Sequence, residues 1–188
     1  MPIYTRRGDA GKTQVIGSPR RYKDDARVQA YGTVDEAGAL IGVAASMIGS
    51  DAAFEDVVRV LSDVQQMLWD VGADLARVGD EKHPYRTSHN AASQLEPMID
   101  QYQAELPLLD KFILRGGTPG GALLHLACTV VRRAEREVVH LQRIEPIHPP
   151  LLMYLNRLSD LLFVLGRLIN HRAGAPETEY EHSARVFR

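Results

Sequence analysis

The chain has 188 residues, 45% of them apolar, enough to bury a core in one domain without disulfides or a structural metal. Its 22 Lys and Arg against 24 Asp and Glu leave a formal charge of −2, which excludes a global pull toward nucleic acid or an anionic membrane; a basic site must be local. The one cysteine, Cys128, excludes an intrachain disulfide and fits a reducing compartment. No run approaches the roughly 20 apolar residues of a membrane span, and MPIYTRRGDAGKT lacks a signal-peptide core, so a cytoplasmic location is expected.

Residues 1–24 are glycine-bearing and polar without apolar periodicity, and read as an ordered loop or short strand. From Asp25 to Ile48 a helix is predicted, with Val28, Tyr31, Val34, Ile41, Ala45 and Ile48 as its apolar side and Asp24 or Asp25 as its cap. Val57, Leu61, Val64, Leu68, Val71 and Leu75 alternate steps of four and three, the pattern of a helical seam. A polar break from Gly79 to Asn90 precedes a shorter helix, Ala91 to Glu105. Phe112 to Gly121 is too rich in glycine to be helical throughout and reads as a tight turn.

The fourth helix follows, with Leu124, Ala127, Val131, Ala134, Val138 and Leu141 inward and Arg132, Arg133 and Arg136 on its polar side. Pro146, Pro149 and Pro150 stop it. The fifth helix, Leu151 to Asn170, carries a leucine core and a second stripe, Asn156, Asp160, Phe163 and Arg167, which share one face. Residues 173–188 read as a polar tail. The fold expected is all-α: one domain, an up-and-down five-helix bundle over 25–172 with a loop before it and a tail after it.

Three segments are candidates for chemistry. TRRGDAGKT, Thr5 to Thr13, ends like a phosphate-binding P-loop but has Arg6 where that motif needs its first glycine, and no buried strand leads into it. What remains is a short loop in which Gly8 and Gly11 let amides turn toward an anion, with Thr5, Thr13, Lys12 and Lys23 nearby; the alternative is a solvated arm. Arg132 and Arg136 lie one turn apart, so two guanidinium groups can grip neighbouring phosphate oxygens; the alternative is a solvated face with Arg133 paired to Glu137. Asn156 can hydrogen-bond a ligand and Asp160 can orient an arginine. Glu179 to His182 supplies one Glu-x-x-His, where a di-iron bundle needs two, so no metal-ligand set is read from the residues. Cys128 reads as a packed side chain. Asp35, among apolar neighbours, requires a partner if it is buried.

IYTRRGDAGKT, YKDDARVQAYGTVDE, FILRGG, LLHLACTVVRRAEREVV and YLNRLSDLLFVLGR, in that order, resemble the PduO-type ATP:cob(I)alamin adenosyltransferases, over nearly the whole chain. The resemblance implies a ferritin-like five-helix bundle assembled as a homotrimer, with ATP between the N-terminal loop of one subunit and the helices of its neighbour. It implies transfer of the 5′-deoxyadenosyl group of ATP, accompanied by Mg2+, to cob(I)alamin, which an external flavoprotein reductase forms from cob(II)alamin, with release of triphosphate. An adenosylcobalamin-dependent enzyme is a further implied partner. Nucleotide contacts carried over fall on Thr5, Gly8, Asp9, Gly11, Thr13, Lys23, Arg132, Glu135, Arg136 and Asn156, and Arg6, Arg7, Lys12, Arg133 and Phe163 complete the ligand-binding set. Arg132, Asp35 and Phe112 are the expected catalytic group; the family aromatic at Phe112 packs beneath the corrin, and Phe163 helps wall that space.

Two residues depart from the family pattern. Cys128 stands where the family usually has an arginine that pairs with the aspartate at Asp35, and Arg115 stands where the glycine turn usually has proline. A thiol cannot replace a guanidinium, so if Asp35 is buried it must find another cation, be protonated or be hydrated, and Cys128→Arg is expected to raise activity or corrinoid affinity. The alternative readings are a module that binds ATP or delivers adenosylcobalamin with weak turnover, and a purely structural bundle.

Overall fold

The computed structural model describes residues 3–79 and 84–185; Met1, Pro2, Asp80–His83 and Val186–Arg188, and with them the ends of the predicted arm and tail and part of the polar break, lie outside the described residues. The described residues form a mostly helical structure: a two-stranded antiparallel sheet, β1 (Lys12–Thr13) and β2 (Arg21–Tyr22), then α1 (Ala26–Ile48), α2 (Glu55–Leu75), α3 (Glu96–Gln103), α4 (Pro119–Gln142) and α5 (Pro149–Arg172). α1 packs between α2 and α4, α4 between α1 and α5, and α3 lies on α5.

Asp25 caps α1 by accepting from the Arg27 amide at 2.9 Å, as its position before the apolar run predicts. The buried row of α1 includes Arg27, Ala30, Val34, Ala37, Ile41 and Ala44, which keeps Val34 and Ile41 of the predicted row; Val28, Tyr31, Ala45 and Ile48 are only partly buried. The sequence pattern misses the rest of this row because it is headed by an arginine and filled with alanines. The seam of α2 is buried throughout, as predicted, and so is the leucine core of α5.

The third helix is shorter than predicted: residues 91–95 form turns and α3 begins at Glu96. Pro97 has no N–H to donate backward, so a regular helix cannot extend across it from Ala91. The prolines read as stops act instead as starts. Pro149 and Pro150 occupy the first turn of α5, where an N–H would have no partner anyway, and Pro119 does the same for α4. The predicted glycine turn therefore ends three residues early, at Thr118. Thr118 caps α4, its hydroxyl oxygen accepting from the Gly121 amide at 3.1 Å, and helical position 121 is glycine because a Cβ there would sit 2.2 Å from Asn170 Oδ1.

The N-terminal hairpin is tied to the helices. Ile16 exchanges backbone hydrogen bonds with Ala76 and Val78, both 2.9 Å, and Val15 is fully buried. Arg27, 2% exposed, donates to the carbonyls of Leu75 at 2.7 Å and Arg77 at 2.9 Å and to Glu145 at 2.9 Å, while Arg21 of β2 also pairs with Glu145. The Arg21 hydrogen bond, and then that of Arg27, holds the Glu145 carboxyl below its ordinary range. One carboxylate between α4 and α5 thus fixes the start of α1 and the hairpin together. Arg133 pairs with Glu36 of α1 rather than with Glu137 on its own helix, because α4 packs along α1 there.

Candidate functional site

The loop from Thr5 to Thr13 folds as two successive turns, with the Asp9 amide donating to the Arg6 carbonyl and the Gly11 amide to the Gly8 carbonyl at 3.1 Å. The left-handed positions are Arg6, φ 59°, and Gly11, φ 74°, not Gly8. Gly8 serves by closeness: a Cβ there would lie 3.4 Å from the Lys23 ammonium, so the missing side chain lets that cation approach the turn. A non-glycine residue held at positive φ costs roughly 1–2 kcal/mol, strain typical of a segment shaped for a ligand. Arg20, which sequence reading passed over, braces the loop from outside, donating to the carbonyls of Arg7 and of Lys12, the latter at 2.6 Å. Thr5, Arg6, Arg7 and Asp9 are exposed, and Lys12 stacks on the Tyr22 ring at 4.6 Å. Among the described residues none of Arg6, Arg7, Lys12 and Lys23 has a carboxylate partner.

The second assembly is the seam between α4 and α5. On α4, His125, Cys128, Arg132 and Arg136 succeed one another at steps of three, four and four, and the antiparallel α5 stripe meets them in reverse order. His125 packs on Phe163 with ring centroids 5.7 Å apart, Asp160 lies near Cys128, and Asn156 donates to Glu135 at 2.9 Å. The seam therefore has two ends. At one, Arg132, Arg136 and Asn156 are exposed, and neither arginine pairs with a carboxylate among the described residues; Arg136 is steadied by the Arg132 carbonyl at 3.0 Å. At the other, apolar contacts dominate: burial, and then the charge of Arg115, pushes His125 down to about 4, so its ring is neutral at physiological pH.

Arg167, predicted to share the α5 face with Asn156, Asp160 and Phe163, is not available to a ligand. It is 4% exposed and bonds Glu177 at 2.9 Å and the Pro107 carbonyl at 3.0 Å, because the chain beyond α5 folds back over it. That tail is more ordered than its polar composition suggests. Leu114 and Tyr180 donate to Thr178 and Phe112 carbonyls at 2.8 Å, making a strand-like pairing that holds Phe112 56% exposed at the surface. Asp160 orients an arginine as expected, and the arginine is Arg157, at 2.9 Å.

Asp35 is exposed in this chain and lines a groove of about 570 Å³ between α1 and α2, with Tyr31, Leu68, Gly72 and the exposed Trp69. No hydrogen bond or ion pair among the described residues joins this groove to Phe112, or the N-terminal loop to Arg132, Arg136 or Asn156. Cys128 is 2% exposed and burial pushes its thiol up, opposed by Arg115 and Arg132. Arg115, which the sequence marks only as a departure from the usual proline of the glycine turn, donates to the His125 carbonyl at 3.3 Å, and its charge acts on the Cys128 thiol.

Fold and site together define a helical protein in which a seam joins unpaired arginines to an aromatic end, with a separate cationic turn and a separate acid-edged apolar groove. The chain belongs to the cobalamin adenosyltransferase family, whose model matches residues 3–169. It is 47% identical to the corrinoid adenosyltransferase of Bacillus subtilis (strain 168) over 188 residues, all of this chain and 96% of that protein. To the corrinoid adenosyltransferase of Mycobacterium tuberculosis (strain ATCC 25618 / H37Rv) it is 46% identical over 173 residues, 89% of this chain and 88% of the relative. Among solved structures, a variant PduO-type ATP:corrinoid adenosyltransferase from Lactobacillus reuteri complexed with cobalamin and ATP is similar with a TM-score of 0.94 and 39% identity, covering 99% of this chain and all of the other.

Proposed function

We propose that this protein is an ATP:corrinoid adenosyltransferase, transferring the 5′-deoxyadenosyl group of ATP to cob(I)alamin and releasing triphosphate. The observation that carries this reading is the exposed arginine end of the α4–α5 seam, where Arg132 and Arg136 form no ion pair among the described residues and Asn156 donates to Glu135, in a chain so similar to a protein solved with cobalamin and ATP.

The nucleotide's phosphates are held by Arg132, Arg136 and Asn156, and by the turn formed by Thr5, Arg6, Arg7, Gly8, Asp9, Gly11, Lys12, Thr13 and Lys23. Among the described residues no hydrogen bond or ion pair joins the two groups, and in this reading they meet across subunits, in a homotrimer of up-and-down bundles with each site between two copies. Magnesium accompanies the triphosphate, whose oxygens suit it, with Glu135 available beside it. Arg133, engaged by Glu36, acts on the ligand only by holding α4 to α1.

The chemistry explains the absence of a nucleophilic side chain from the proposal. Cob(I)alamin is the nucleophile: its cobalt electron pair attacks the 5′ carbon of ATP, the carbon–oxygen bond breaks, and the triphosphate leaves with the bonding pair. The protein must align those atoms and stabilise charge growing on the leaving oxygen, which Arg132 does by charge-assisted hydrogen bonds. Phe112 and Phe163 provide an apolar wall that excludes water and a lower cobalt ligand, which eases reduction of cob(II)alamin by a separate reductase, with the Asp35 groove of a neighbour facing them. No described helix is long and apolar enough to cross a membrane; a cytoplasmic location and a single 1–188 domain belong to the same reading.

The test is an anaerobic assay with chemically reduced cobalamin and ATP, following the spectral change as the cobalt–carbon bond forms. Multiple turnovers are expected. A single turnover followed by retention of product would instead support the delivery module, and no reaction would overturn both.

A further inference from the structure

The turn around Gly8 needs support from outside itself. Arg6 sits at a φ of 59°, a backbone conformation that L side chains rarely adopt, and the bond that closes over it, from the Asp9 amide to the Arg6 carbonyl, is long at 3.3 Å. Strain of this kind persists only where the surroundings over-determine it. The far side of the turn is anchored by the Lys23 amide, which donates to the Gly11 carbonyl at 2.9 Å. On the near side, residues 3–8 are joined to the chain beyond Gly11 by a single side chain: among the described residues their one hydrogen bond to it comes from Arg20.

One terminal nitrogen of the Arg20 guanidinium donates both to the Arg7 carbonyl and to the Lys12 carbonyl, the latter at 2.6 Å, so it spans the two ends of the Gly8–Gly11 turn. In a trans peptide the N–H points opposite to the carbonyl. The Arg7 carbonyl that faces Arg20 therefore turns the Gly8 amide away from it, and that amide has no acceptor among the described residues. Arg20 is itself held from behind. The next side chain, Arg21, points to the other side of the strand, as alternation requires, and donates to Glu145 at 3.1 Å, Asp25 at 3.3 Å and the Ser18 hydroxyl at 3.3 Å. Neighbouring arginines thus face opposite ways, one fastened to the helices and the other to the turn.

We propose that Arg20 is a positioning residue for the nucleotide: it holds the Arg6–Lys12 turn in its binding shape before ATP arrives, and sets ATP affinity through the Arg7–Gly8 peptide rather than by touching phosphate. The proposal rests on the reading that this turn takes the triphosphate, and deepens it. Without the brace, Arg6 relaxes out of the left-handed region and the turn is competent for only a fraction of the time. Apparent affinity falls by that fraction, about 10-fold for strain of this size. The corrinoid lies outside the effect, because Arg20 makes no hydrogen bond or ion pair with the α4–α5 seam among the described residues.

The experiment compares wild type with Arg20→Ala by amide hydrogen exchange of the ATP-free protein, calorimetric titration with ATP, and steady-state kinetics with reduced cobalamin and ATP. Faster exchange of the Asp9 and Gly11 amides is expected in the absence of nucleotide. The ATP Kd and KM are expected to rise about 10-fold, with the corrinoid KM and the melting temperature unchanged because Arg20 is exposed. A merely structural role would move stability and the corrinoid KM as well. Weaker ATP binding with unchanged exchange would mean that Arg20 grips phosphate directly, and unchanged ATP binding would mean that the brace has no effect on the site; either result overturns the proposal. A wild type that binds ATP but forms no adenosylcobalamin overturns the enzyme reading alone, and the ATP Kd of Arg20→Ala still decides the role of Arg20. A wild type that binds no ATP overturns both.

Discussion

Arg27 and Arg167 are buried, Arg172 is partly buried, and all three are saturated with acceptors, whereas Arg132 and Arg136 stand exposed with no carboxylate partner among the described residues. Arg172 alone holds Asp56 at 2.8 Å and Glu105 at 2.8 Å, and its hydrogen bond keeps the Asp56 carboxyl below its ordinary range. The contrast teaches that charge itself marks neither function nor scaffold. A guanidinium whose donors are already spent on the protein secures the fold, and one whose donors face outward is left for a ligand.

The contrast can be broken first at Arg27. Arg27→Met strips two buried carbonyls and half of the Glu145 clamp, and removing one partner of a buried pair costs about 3–5 kcal/mol. Thermal unfolding should fall by roughly 10 °C, at about 2–4 °C per kcal/mol for a chain of this size. A loss of only a degree or two would mean that the shielded arginine is not structural. Arg132→Ala should do the reverse, lowering kcat for adenosylcobalamin formation about 100- to 1,000-fold, the usual loss for one charge-stabilising donor, with the melting temperature unchanged. A thermal loss comparable to that of Arg27→Met would erase the distinction.

His125 sharpens the comparison at the apolar end of the seam. Its pKa falls from 6.5 to about 4 on folding, so between those values the unfolded chain binds the extra proton. Stability is therefore full above about pH 6.5 and falls as pH drops toward 4, by about 2 kcal/mol between pH 7 and pH 5. Urea titrations across that range should show the slope in the wild type and a flatter one in His125→Phe. The smallest effect belongs to Arg59, whose pair with Glu55 is open to water on both sides. Arg59→Ala should change stability by less than about 0.5 kcal/mol, and a larger value would mean that counting surface pairs has more meaning here than solvent screening allows.

Much of the fold was legible because its strongest signals are local. The seams of α2 and α5 declare themselves by spacing, and the α5 polar stripe led directly to Phe163, Asp160 and Asn156 facing α4. Where the reading slipped, a long-range contact overrode a local preference. The helix starts are the exception, because Pro97, Pro119 and Pro149 each occupy the first turn of a helix, which is a local signal. Arg167 continues the α5 stripe by spacing but is claimed by Glu177 from a tail whose composition gives no hint of pairing with residues 112–114.

By itself, then, the sequence determined the helical content, the identity of the cationic residues and the order of motifs that resembles a known family, because helix periodicity and residue chemistry are properties of neighbours along the chain. Only the tertiary structure decided which cations are spent and which are left over, and that Arg115 of the glycine turn reaches the His125 carbonyl of α4. Partnering depends on segments tens of residues apart, and the competition for each carboxylate is settled by how the helices pack.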